Sequence, residues 1–200
     1  MAVSDVDISN VALTNIGALG NVISIAPPDG GAYAHHCARF FPIARDLVNE
    51  AAPWSFALTR KQLPLLVSDY SLDEFPYAYQ IPSDCLRPLC VLPVGVTDER
   101  LALRFIVEGD VIFTTGDEIV LKYIKRVEDL AKWTRHALDA VAWKLSYYLA
   151  GAIVKSDHGM KGSCAKAYES AIQLGMGTDA NSGNMHGYRQ EHIPAWMVDQ

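Results

Sequence analysis

The chain has no C-x-x-C pair, no apolar run long enough to span a bilayer, and fewer basic than acidic residues. Its four cysteines, Cys37, Cys85, Cys90 and Cys164, are scattered. Without paired spacing or an export signal they read as reduced, mostly buried thiols. The N-terminal MAVSDVDISN lacks a basic region followed by an apolar one, so synthesis in the cytoplasm is expected. The longest uncharged helical stretch, LSYYLAGAIV at 145–154, has ten residues, too few to span a bilayer, and no membrane partner is expected. Lys and Arg total 17 against 23 Asp and Glu, a formal net charge of −6. That excludes a protein gripping nucleic acid through a broad basic face, though not one that DNA slides past.

Catalytic signatures are missing as well. No H-E-x-x-H, G-x-S-x-G, Walker or G-x-G-x-x-G sequence occurs. His35, His36 and Cys37 are consecutive on a predicted helix, where neighbours point about 100° apart and do not converge on one ion. Cys85 and Cys90 bracket Pro88 without a second ligand pair, which argues against zinc. His136, His158, His186 and His192 are spread over a helix, a turn and the C-terminal region. The carboxylates of DEF (73–75), VEGD (107–110) and TGDE (115–118) fall in loops and turns, where Asp is favoured for backbone reasons. No acid, base and nucleophile assemble, so an enzyme is disfavoured, and neither a cofactor nor a metal is expected.

Half of the residues are hydrophobic and a fifth charged, the balance of a folded domain. Ser4 or Asp5 can cap a first helix with Ile8, Val11, Ala12, Ile16 and Leu19 at helical spacing. A second helix is predicted from about Ala32 to Ala51, with a kink or break at Phe40–Phe41 imposed by Pro42. Leu86–Val94 is an extended candidate. Leu103–Val107, Val111–Thr115 and Glu118–Lys125 read as an antiparallel meander with turns at Gly109-Asp110 and Gly116-Asp117. The longest helix is predicted over Asp129–Val154, joined to the preceding strand with no Gly or Pro between them. Lys122, Lys125 and Arg126 stand at that weld, where they can pair with acids of a neighbouring subunit. A fourth helix follows Lys155–Gly159, with Met160, Cys164, Ala167, Tyr168, Ala171, Ile172 and Gly175 on its apolar side.

The expected fold is therefore α+β: a four-helix bundle with a small antiparallel β region inserted between helices 2 and 3, and an extended C-terminal tail. One domain is expected over 1–180, with bundle segments 1–60 and 128–178 and the β region at about 78–127. The tail, 181–200, is polar until Ile193, Trp196 and Met197. Those three residues and Trp143, which interrupts a polar helical stripe, are the candidate partner interface, because Trp and Met are enriched where proteins meet. Glu108, Asp110, Asp117 and Glu118 are candidate acids facing a channel.

Three stretches carry a resemblance: CARFFPIARDLVNEAAPWSFALTRKQL (37–63), YAYQIPSDCLRP (77–88) and FIVEGDVIFTTGDEIVLKYIKRVED (105–129). In their order and spacing, with NIGALG before them and PAW near the C-terminus, the chain resembles the tail tubular protein A family of short-tailed bacteriophages. The resemblance implies a structural virion protein, a head-to-tail connector forming a dodecameric ring between the portal protein and the tail nozzle protein. It also implies a channel through which the genome passes without sequence-specific DNA binding, and no catalytic residues. The competing expectations are a small cytoplasmic enzyme and a head-completion or assembly factor that never forms the ring.

Overall fold

The computed structural model of the chain describes residues 3–66, 72–154 and 158–183. Ser4 opens α1 (Asp5–Asn15) with a reciprocal cap. Its hydroxyl accepts the Asp7 N–H at 3.1 Å, and the Asp7 carboxylate accepts the Ser4 N–H at 2.9 Å. Ile8, Ala12, Leu13 and Ile16 are buried, while Leu19 lies beyond the helix and is fully exposed. The second helix, α2 (Ala32–Ala51), runs unbroken through Pro42, against the expectation of a break. Pro42 is exposed, so water can satisfy the carbonyl that its missing N–H leaves free. Thr134 caps α3 (Arg135–Ile153), and α4 (His158–Gly183) extends eight residues past Gly175, through 181–183 of the expected tail. Residues 184–200 lie outside the described residues, and so do Lys155–Asp157 of the predicted turn.

The bundle expectation is overturned. The α+β content is present, with four helices and six strands among the described residues, but the helices do not form a four-helix bundle around an inserted meander. α3 is an axle against which α1, α2 and α4 each pack, while α2 and α4 scarcely touch. The strands are β1 (Leu58–Leu63), β2 (Tyr77–Gln80), β3 (Cys85–Pro93), β4 (Phe105–Glu108), β5 (Val111–Thr114) and β6 (Ile119–Lys125). They are not confined to 78–127, since β1 begins inside the segment 1–60 assigned to helices and ends before the expected β region. They make two three-stranded antiparallel sheets, ordered β1-β6-β3 and β2-β5-β4.

The expected turn at Gly109 exists, and joins β4 to β5 with Gly109 at φ +61°. The one at Gly116 does not. There the chain crosses between sheets, because Tyr79 donates its hydroxyl to the Gly116 carbonyl at 2.8 Å and Leu103 covers the glycine. β6 therefore sits between β1 and β3 instead of beside β5. Pro88 and Pro93 are tolerated in β3 because it is an edge strand.

Two main cores result. One lies among the helices and takes in Trp54, Ala57, Ile124 and Val127 from the β side. The other lies between the sheets, where Tyr79 and Ile112 meet Ile119, Leu121 and Tyr123. Among the described residues no helix is long and apolar enough to cross a membrane.

Candidate functional site

The weld between β6 and the long helix is a braced connector. After Lys125 the chain passes through Arg126–Asp129 and a single 3-10 turn, Leu130–Lys132, before α3 begins. The predicted fusion, with the helix starting at Asp129, is thus corrected: residues 126–134 separate β6 from α3, which starts six residues later than expected. Hydrogen bonds fix that connector from both sides. The Asp84 carbonyl accepts the Arg126 N–H at 2.7 Å, and the Ala57 carbonyl accepts the Lys125 N–H at 2.8 Å. The buried Asn49 donates its side-chain amide to the Lys125 carbonyl at 2.9 Å. Trp133 donates its indole N–H to the Val127 carbonyl at 3.2 Å and its ring lies 4.9 Å from that of Phe56.

The basic residues of the weld find acids in their own chain. Lys122 pairs with Glu99, Lys125 with Asp84 at 3.4 Å, and Arg126 with Asp46 at 3.1 Å. Each such surface pair is worth about 0–1 kcal/mol. Their effect is on geometry. Burial and the Asp84 carboxylate, which accepts the Tyr123 hydroxyl at 3.1 Å, push the Tyr123 phenol up to about 12. Asp46 and Asn49 belong to stretch 37–63, Asp84 to 77–88, and Tyr123, Lys125 and Arg126 to 105–129. The three stretches that carry the resemblance therefore meet at this one junction.

Two grooves flank α3. The first, about 730 Å³, runs between α1 and the start of α3 over Val3, Asp7, Val11, Leu130, Leu138 and Asp139, with Arg135 also on its lining. The second, about 320 Å³, lies where α2 and α4 fail to meet, over Leu47, Glu50, Arg87, Lys144 and Tyr168. Lys144 sits 4.6 Å from the Tyr168 ring centroid and 5.7 Å from that of Tyr148. Lys161 lies 4.7 Å from the Tyr147 ring. Phe40 stacks on Tyr148 at 5.5 Å, and His36 follows at 6.4 Å. This row of half-buried rings and ammonium groups went unread in the sequence. Its members come from three helices, and only His36-x-x-x-Phe40 and Lys144-x-x-Tyr147-Tyr148 are local signals.

Trp143 is half-buried and packs on the helical core. Ile193, Trp196 and Met197 lie outside the described residues. Glu108, Asp110, Asp117 and Glu118 are all exposed, but they are not brought together. Glu108 and Asp110 flank the β4–β5 turn, where Asp110 accepts the Gln80 amide at 2.7 Å. Asp117 and Glu118 follow the other end of β5, whose four residues span about 10 Å.

His35 is exposed and His36 half-buried beside the buried Cys37, and no group of three or more His, Cys, Asp or Glu able to hold a metal occurs among the described residues. Burial raises all four thiols above their ordinary value, Cys85 to about 11 with the Asp84 charge adding to it. Comparison of the chain with known protein families and with curated protein sequences finds no match.

Proposed function

We propose that this protein is a structural virion component, a head-to-tail connector whose copies form a ring between portal and tail nozzle and leave a channel for the genome. One observation carries the reading. The three stretches resembling the tail tubular protein A family are far apart in sequence, yet they supply the two sides of one braced junction between sheets and helices. A ring subunit held between two larger assemblies must pass position and load from one end to the other. A connector tied by Asp46, Asn49, Ala57 and Asp84 suits that task better than a hinged one. The ring is proposed to be dodecameric, and its place the virion neck, after synthesis in the host cytoplasm.

The test is to mix the protein with the portal encoded by the same genome and image the product by electron microscopy. A ring of this protein stacked on the portal is expected. Free portal beside free protein at every ratio would defeat the proposal. Its presence in purified, washed virions separates the connector from an assembly factor that departs before completion.

A further inference from the structure

The two grooves beside α3 differ in charge and lie on opposite sides of the helix. Leu138, Asp139 and Ala142 line the first, and Lys144 lines the second with the Tyr148 ring 5.7 Å from its ammonium. At about 100° per residue these sets centre roughly 180° apart around α3. The first groove sets Asp7 and Asp139 against the single cation Arg135, and Asp5 lies just beside it. Among the described residues none of these three carboxylates has an ion-pair partner, and the apolar Val3 and Val11 are 41% and 48% exposed there. The second groove sets Arg87 and Lys144 against the single carboxylate Glu50, and Lys161 lies on the Tyr147 ring that Lys144 also approaches; none of these three cations has a carboxylate partner among the described residues, and the bordering helix leaves Ile43 and Leu47 47% and 38% exposed.

We infer that the acidic groove of one copy receives the basic, aromatic groove face of another, so that copies join head to tail through opposite sides of α3. Three features favour a second copy as the occupant. The surfaces are opposite in net charge, both carry exposed apolar side chains beside charges that form no ion pair among the described residues, and they are placed so that one copy can use both at once. A contact between two different faces is heterologous, and repeats until it closes a ring or grows a filament. A two-fold dimer would instead set acid on acid and base on base, which complementary potentials exclude. The inference rests on the ring reading for its closure, but the contact itself needs no portal.

The experiment is charge reversal followed by mixing. Val11→Lys with Asp139→Lys makes both faces basic; Lys144→Glu with Lys161→Glu makes both acidic. The unaltered protein in low salt should form species larger than a dimer as concentration rises, measured by sedimentation velocity. Either variant alone should need a concentration ~10-fold or more higher, about 1.4 kcal/mol or more of lost association. An equimolar mixture should recover assembly, because the unaltered faces of the two variants match each other and so do their two reversed faces. Added salt should weaken both the unaltered assembly and the rescued one.

Recovery on mixing also shows that both variants are folded. Should the Lys144 variant melt early, Leu47→Glu with Lys161→Glu takes its place. A protein that stays monomeric at all concentrations overturns the inference, as does assembly indifferent to both reversals or folded variants that do not recover on mixing. The connector reading is judged separately. Rings on the portal that ignore the reversals sink the inference alone, whereas salt-sensitive self-assembly with no portal complex sinks the connector alone.

Discussion

Trp54 is nearly inaccessible, donates its indole N–H to the Val48 carbonyl at 2.8 Å, and faces Gly175 of α4. A β-carbon on Gly175 would sit 2.7 Å from Trp54 Cη2 and 3.1 Å from His136 Cβ. Alanine favours a helix over glycine by about 1 kcal/mol, yet a tethered, enclosed indole cannot withdraw. Gly175→Ala is therefore expected to lower the melting temperature, and a rise would show that the α3–α4 contact has slack. Trp54→Ala should cost about 3–5 kcal/mol in denaturant titration, since the cavity it leaves is walled by two helices.

The thiols give a second residue-scale test. Cys85, lifted from an ordinary 9.0 to about 11, has about 100-fold less thiolate at pH 8 than an unperturbed cysteine. All four cysteines should resist iodoacetamide at pH 8 until the protein is unfolded; rapid labelling of any one in the native state would contradict the burial. The folded form keeps protons that the unfolded chain releases above pH 9.0. Their contribution to stability is complete below that pH and lost as pH rises towards about 11, so the urea midpoint should fall between pH 8 and pH 10.

At the scale of the element, the junction depends on a few bonds that no strand or helix makes by itself. Asn49→Ala leaves the Lys125 carbonyl without its buried donor and should destabilise by about 1–3 kcal/mol. Asp84→Asn keeps the shape but removes the charge that faces Lys125 and lets the Tyr123 phenol ionise more readily. An alkaline absorbance titration should show that phenol moving down from about 12.

Elements with strong local signals were legible in the sequence. They include the Ser4 cap, the apolar stripes of α1 and α3, and the extended runs of β3 to β6. β1 was not, because LTRKQL is an edge strand with a mostly exposed face, and its partner β6 lies some 60 residues away. The last turns of α4 were missed for a similar reason. They are polar, and Asp179 contributes through two bonds to Ser55, both at 2.7 Å, that no periodicity reveals. The crossing at Gly116 depends on Tyr79 and Leu103, residues that a turn signature does not include. Of the candidate site, the acids and Trp143 were named from the sequence, but the two grooves on α3 arise only from how three helices surround a fourth.

For the whole molecule, the four candidate channel acids stand as two pairs at opposite ends of β5. If one loop of the β2-β5-β4 sheet faces the passage, one pair lines it and the other does not. Glu108→Lys with Asp110→Lys, compared against Asp117→Lys with Glu118→Lys, separates the ends. Assembled particles carrying the lining pair as lysine should retain DNA in a manner relieved by salt, and the other variant should eject normally. Equal ejection by both variants at all salt concentrations would place every one of these acids away from the passage.

The axle arrangement of α3 also sets an order of events during synthesis. Ser146 of α3 donates its hydroxyl to the Ala12 carbonyl of α1 at 3.1 Å, across 134 residues of chain. At about 5–20 residues per second, the first helix leaves the ribosome roughly 7–27 seconds before the surface it covers. Meanwhile Ile8, Leu13 and Ile16 have no permanent neighbour. α2 waits almost as long, because it too packs on α3 and touches α1 only lightly. The sheets can close between these times, since β1 needs only β6, which emerges before α3. The nascent protein thus carries a finished β half and two unclaimed apolar helices for several seconds. That interval is when a chaperone, or another chain on the same polysome, has access to surfaces that the completed subunit never presents again.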